Sequence, residues 1–195
     1  MKSVLLGFAL IAVSAAAAAN ETSFRINGVP GDFVTHGQSF FYTPENAGFY
    51  WYIDDPLNGV AIDVTTDSHD FDAFWFVDFA NADHTRLLPG SYPNAVRYRA
   101  GEYGQPWLGV TSSNGCNQIA GSFEVLLATY APNGDLVSFW ATFSQSCDGG
   151  PFVSGEVKIN VPEGAGVALP APGPLAAIVL AVGLAAAGFL MLRVR

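Results

Sequence analysis

Cysteine, histidine and positive charge are all scarce in this chain. Of its 195 residues two are cysteine and three are histidine. Charged residues make up 13%, with 8 lysine plus arginine against 17 aspartate plus glutamate. So small a basic complement excludes nucleic acid as a partner, because a phosphate backbone demands a basic footprint. Low charge with 50% hydrophobic residues excludes a disordered acidic chain. Two cysteines without a nearby histidine do not make a zinc site, which takes four ligands. His36, His69 and His84 lack the i, i+4 spacing of a helical metal pair, and no Gly-x-Ser-x-Gly elbow is present. These absences read as a non-catalytic protein. A carboxylate pair for glycoside hydrolysis stays open, since that separation is spatial.

Apolar residues crowd the two ends. Lys2 precedes an apolar run from Val4 to Val13, and Ala17 and Ala19 obey the small-x-small rule for cleavage before Asn20. Residues 1–19 therefore read as a secretory signal peptide, with signal peptidase as processing partner. At the other end Pro162, Pro170, Pro172 and Pro174 stiffen a linker over 161–174. Leu175 to Leu192 then runs 18 residues without a charge, and residues 193–195 form a basic end. Eighteen helical residues span about 27 Å, close to the ~30 Å hydrocarbon core. We expect a single transmembrane helix over 175–192 with Arg193 and Arg195 cytoplasmic and the body outside.

Before that span stands Val167-Ala168-Leu169-Pro170-Ala171-Pro172. Proline motif, apolar span and arginine end together resemble the bacterial PEP-CTERM sorting signal, in its Val-Pro-Leu-Pro-Ala variant. The departure is Ala168, where the variant has proline. On this resemblance Val167, Leu169, Pro170, Ala171, Pro172, Arg193 and Arg195 form the sorting motif. It implies an exosortase-type membrane peptidase as partner, a membrane-anchored precursor, and a final place at the cell surface or outside the cell. It further implies association with exopolysaccharide in an extracellular matrix.

The body, residues 20–160, carries all but three of the basic residues and nearly all the acidic ones. Extending it to Glu163 gives five basic against 17 acidic residues, a net charge of −12. Such a surface favours solubility and attracts cations. Short β-rich runs alternate with Gly/Pro/Asn/Asp turns, and no helical period is sustained. The runs predict strands near 24–27, 32–35, 39–43, 49–53, 60–65, 73–79, 90–97, 108–111, 118–130, 136–146 and 152–160. This pattern predicts an all-β fold, an antiparallel β-sandwich of jelly-roll or immunoglobulin-like type.

The clearest unit is a hairpin turning at Asn133-Gly134, residues that accept positive φ. Its alternation puts Phe123, Val125 and Leu127 on one face, and Val137, Phe139, Ala141 and Phe143 on one face across the turn. Pairing residue 130 with 136 brings Cys116 and Cys147 within three residues of register. As the only cysteines, in an exported chain, they are expected to form a disulfide across the hairpin's open end. Gly115-Cys116-Asn117, Gly121-Ser122-Phe123-Glu124-Val125 and the run Phe139 to Cys147 resemble an uncharacterised secreted two-cysteine β-domain. That resemblance implies a disulfide-bonded module and no particular activity.

Two sets of residues could bind ligand. Asp67, Asp70 and Asp72 alternate in one loop, with Asp54, Asp55 and Asp63 before and Asp78 and Asp83 after. Loop carboxylates at such spacing could hold calcium as a cofactor, though not in an EF-hand, whose glycine and glutamate are missing. A solvated turn explains the same residues. Trp51, Trp75, Trp107 and Trp140, with Tyr50, Tyr52, Phe74 and Phe76, could stack on sugar rings, and Trp107, after Gly104-Gln105-Pro106, is the one expected in a loop. Core packing explains aromatics equally well. In 73–79 both faces of the strand are aromatic, so one face is core and the other a contact surface or an exposed platform.

Overall fold

The computed structural model describes residues 20–67, 74–99 and 104–165, and the described residues are all-β. The expected signal peptide, sorting motif and transmembrane helix lie outside them. Ten strands follow in chain order. They are β1 (Glu21–Asn27), β2 (Phe40–Tyr42), β3 (Gly48–Asp54), β4 (Gly59–Thr65) and β5 (Phe74–Ala80). Then come β6 (Gly90–Arg97), β7 (Trp107–Thr111), β8 (Ile119–Tyr130), β9 (Leu136–Cys147) and β10 (Phe152–Val161).

All ten belong to one sheet, in the order β2-β1-β10-β9-β8-β6-β7-β5-β4-β3. One curled sheet thus stands where a two-sheet sandwich was expected. It is also mixed, since β6 and β7 pair in parallel, Val96 with Trp107 and Arg97 with Leu108. The curl folds the two halves over a shared core. Trp75 of β5 meets Phe24 of β1 at 5.5 Å and Phe40 of β2 at 5.3 Å between ring centroids. Phe79 of β5 meets Phe123 of β8 at 5.1 Å and Phe139 of β9 at 5.5 Å.

Period-two alternation explains which residues form this core. On β5, Trp75, Val77 and Phe79 are buried while Phe74 and Phe76 face out. Burial of each large side chain contributes about 1.5–3 kcal/mol. The predicted strand at 32–35 is a turn instead. Asp32 accepts hydrogen bonds from the Thr35 N–H and hydroxyl, both at 2.6 Å, and such local bonds compete with a sheet ladder.

The β8–β9 hairpin has the expected register, with Tyr130 opposite Leu136, Phe123 opposite Phe143 and Ile119 opposite Cys147. A bulge between Val125 and Leu127 breaks the simple alternation. Beyond it Ala128 and Tyr130 turn toward the core, so Leu127 does not continue the inner face of Phe123 and Val125. Across the hairpin Val137 is exposed, outside the inner face of Phe139, Ala141 and Phe143. Cys116 and Cys147 are disulfide-bonded, with Cα atoms 5.3 Å apart. Beside them Asp148 accepts from the backbone N–H groups of Gln118 at 2.7 Å and Asn117 at 3.2 Å. Those bonds hold the exposed Asp148 carboxyl below the usual range.

Candidate functional site

The outer face of β3, β4, β5 and β7 brings aromatic rings and carboxylates together. Strand pairing sets them in rows. Tyr50, Asp63, Phe76 and Thr111 are successive cross-strand neighbours. The next row holds Tyr52, Ala61, Asp78 and Gly109, and the one after it Asp54 opposite Gly59. Directly opposed side chains on one face lie about 4.5–5.5 Å apart at Cβ, so each row is a line of contacts.

Four of these aromatics meet solvent. Tyr50 is 61% exposed, Tyr52 51%, Phe76 42% and its neighbour Phe74 37%. Phe74 and Phe76 contact each other at 5.3 Å between centroids. Exposed rings on adjacent strands form a patch rather than scattered exposure, which makes this face the candidate site.

The carboxylates differ in how they are satisfied. Asp54 is buried at 6% exposure. It accepts from the Tyr98 hydroxyl at 2.7 Å and from Arg99 Nε at 3.0 Å, and pairs with Arg99 Nη2. Burial pushes its carboxyl up, but the Arg99 and Tyr98 bonds and the Arg99 charge outweigh that and hold it low. Small residues make this latch possible. A Cβ on Gly59 would come 2.6 Å from the Tyr98 hydroxyl, and one on Gly109 3.0 Å from Tyr98 Cβ. Asp63, by contrast, buries its Oδ1 without a hydrogen-bond partner, and burial raises its carboxyl. Asp78 is pushed up to about 7, by burial first and then by the charges of Asp63 and Asp54. Tyr52 is raised by burial and then by the same three aspartates. Neither Asp63 nor Asp78 has an ion pair among the described residues.

Of the residues considered from sequence, Tyr50, Tyr52, Phe74 and Phe76 stand on this face, whereas Trp75, Trp107 and Asp67 do not contribute to it. Trp75 is fully buried and donates from its indole toward Tyr42 at 3.4 Å. Trp107 opens β7 at 7% exposure, with edge contacts to His84 at 5.1 Å and Tyr98 at 6.1 Å. Its preceding Gly-Gln-Pro run suggested a loop platform, but the indole is covered. Of the expected calcium residues Asp67 is exposed, and Asp70 and Asp72 lie outside the described residues. Among the described residues no group of three or more His, Cys, Asp or Glu is arranged to hold a metal ion.

Asp54, Asp63 and Asp78 were visible in the sequence only as acidic neighbours of that loop. Their outward phase on three consecutive strands was the signal that unites them with Tyr50, Tyr52 and Phe76. A surface depression of about 520 Å³ lies apart from this face, beside Asn20, Trp140, Lys158 and Pro162. Its polar groups satisfy one another. Lys158 bonds Glu21 at 2.9 Å and lies 4.9 Å from the Trp140 ring centre, while Trp140 donates to Glu156 at 2.6 Å. The aromatic face is the better candidate, because it combines four exposed rings on adjacent strands with a buried carboxylate oxygen that has no partner among the described residues.

Compared with protein-family models, curated proteins and solved structures, the chain matches none.

Proposed function

We propose that this is an exported, non-catalytic cell-surface protein whose β domain binds carbohydrate through the outer face of β3, β4 and β5. Residues 1–19 direct export in this reading, and the tail from 161 onward directs sorting by an exosortase-type peptidase. The exposed domain then associates with exopolysaccharide in the extracellular matrix.

One observation carries the reading. Tyr50, Tyr52, Phe74 and Phe76 stand in solvent on one sheet face, beside the carboxylates of Asp63 and Asp78. Aromatic faces stack on the C–H faces of sugar rings, and neighbouring carboxylates take up hydroxyl donors. The Cys116–Cys147 disulfide is compatible with export to an oxidising compartment.

The test is co-sedimentation of the full-length protein with exopolysaccharide from the producing organism, with calcium and with chelator. Saturable binding that Tyr52→Ala and Phe76→Ala abolish is the expected result. Binding that ignores both substitutions would place association on net charge alone. Loss with chelator would bring Asp67 and its loop into the site.

A further inference from the structure

We infer that the ligand of this face is an amino sugar with a free, protonated amine, seated between Asp63, Asp78 and the rings of Tyr50, Tyr52 and Phe76. The inference rests on the carbohydrate reading above and narrows it by charge.

Asp54 is already matched, since Arg99 and Tyr98 take both its oxygens. What remains unmatched is negative. Asp63 has a buried oxygen with no donor, and neither it nor Asp78 has an ion-pair partner among the described residues. An isolated buried carboxylate is costly until a cation or donor reaches it. Both carboxyls are accordingly raised, the desolvated state that an incoming positive charge relieves.

The rings select the form of that charge. Tyr50 and Phe76 flank Asp63 on either side in one cross-strand row. Tyr52 lies in the next row, separated from Asp78 by only the methyl of Ala61. Ring faces attract cations through their quadrupole and repel anions. Aromatic walls suit an organic ammonium, which sheds water more readily than a small metal ion and brings three donors. A uronic acid would meet like charge, and a neutral sugar would leave the Asp63 oxygen in competition for a weaker donor. A primary amine on a pyranose ring supplies both the apolar ring face and the cation.

The experiment measures binding of the full-length protein in detergent to three oligosaccharides of one linkage. These are a glucosamine hexamer, its fully N-acetylated form, and the glucose hexamer. We expect the glucosamine hexamer to bind about tenfold more tightly than either, since a charge-assisted bond is worth about that factor. Added salt should narrow the gap. Asp63→Asn and Asp78→Asn keep the side-chain shape and should each bring the glucosamine hexamer close to the other two.

Equal binding of all three, lost in Tyr52→Ala, overturns the amine and leaves the carbohydrate reading standing. No binding to any of them overturns both. An oligolysine peptide that outcompetes the glucosamine hexamer also overturns the inference, in favour of a protein lysine as the cation. So does an Asp63→Asn protein that keeps the full preference.

Discussion

Gln145 supplies Val110 with the backbone partner that a missing strand would have provided. It lies fully buried on β9, in the half of the sheet facing β7. Its side-chain Oε1 accepts from the Val110 N–H at 3.0 Å, and its Nε2 donates to the Val110 carbonyl. On this edge of β7 the carbonyls of Pro106 and Leu108 are taken by the N–H groups of Val96 and Tyr98. The β6–β7 pairing stops there. A side-chain amide has the same donor and acceptor as a peptide, so glutamine continues the ladder across the core.

Replacing Gln145 with leucine should therefore be strongly destabilising. Both Val110 groups would be left buried without partners, each at a cost of about 1–3 kcal/mol. We expect a loss of roughly 2–4 kcal/mol in urea unfolding. A change below about 0.5 kcal/mol, the range of ordinary surface substitutions, would mean that the bridge contributes little.

The disulfide should matter on a similar scale. It links residues 31 apart in sequence and closes the open end of the hairpin, where Ile119 pairs with Cys147. Loops of this size gain about 3–4 kcal/mol in the chain-entropy account. The double substitution of Cys116 and Cys147 to serine should lower the unfolding free energy by about that amount, and the unfolding midpoint with it. An unchanged midpoint, in the variant or on reduction, would show that the Asp148 bonds alone secure this end.

Asp78 should make stability depend on pH. Its carboxyl rises from the ordinary 3.8 to about 7 in the folded protein. The charged and titratable groups around it are Asp63, Asp54, Arg99, Tyr52 and Tyr98. The folded state holds this proton more tightly than the unfolded chain. Its contribution to stability is therefore greatest below about pH 4 and declines as pH rises to about 7. Asp78→Asn should stabilise the protein by roughly 2 kcal/mol at pH 8, with the difference vanishing near pH 4. Urea titrations at the two pH values decide this, and an equal difference at both would refute it.

The latch on Asp54 should be sensitive to a single methyl. In Gly59→Ala the new Cβ would sit 2.6 Å from the Tyr98 hydroxyl, so Tyr98 must leave Asp54. Removing the hydroxyl itself, in Tyr98→Phe, should cost about 1–2 kcal/mol, since Asp54 is buried and charged. Arg99→Ala should cost less, because Arg99 is 62% exposed and its pairing is screened by water. Thermal unfolding of the three variants checks the order. Arg99→Ala as the worst of them would mean that charge rather than the hydroxyl dominates.

Most of the strand pattern was legible in the chain, because period-two alternation and turn residues act locally. The β8–β9 register followed from one Asn-Gly turn, and with it the approach of Cys116 to Cys147. The bulge after Val125 was not legible, because both phases of Leu126-Leu127-Ala128 are apolar and either could face the core.

The candidate face was less visible for a related reason. Alternation says that Trp75 and Phe76 point to opposite sides, but it does not say which side the other half of the sheet will cover. That was decided when the sheet curled and placed Phe24 and Phe40 over Trp75. Trp107 was likewise covered by Tyr98 and His84, from segments before it in the chain. Composition and alternation, then, were enough to determine an all-β fold, most of its strands and its cysteine pair. Only the tertiary structure decided which rings reach water and that Asp54, Asp63 and Asp78 share a face. Those outcomes depend on pairing between strands distant in sequence, which local patterns do not encode.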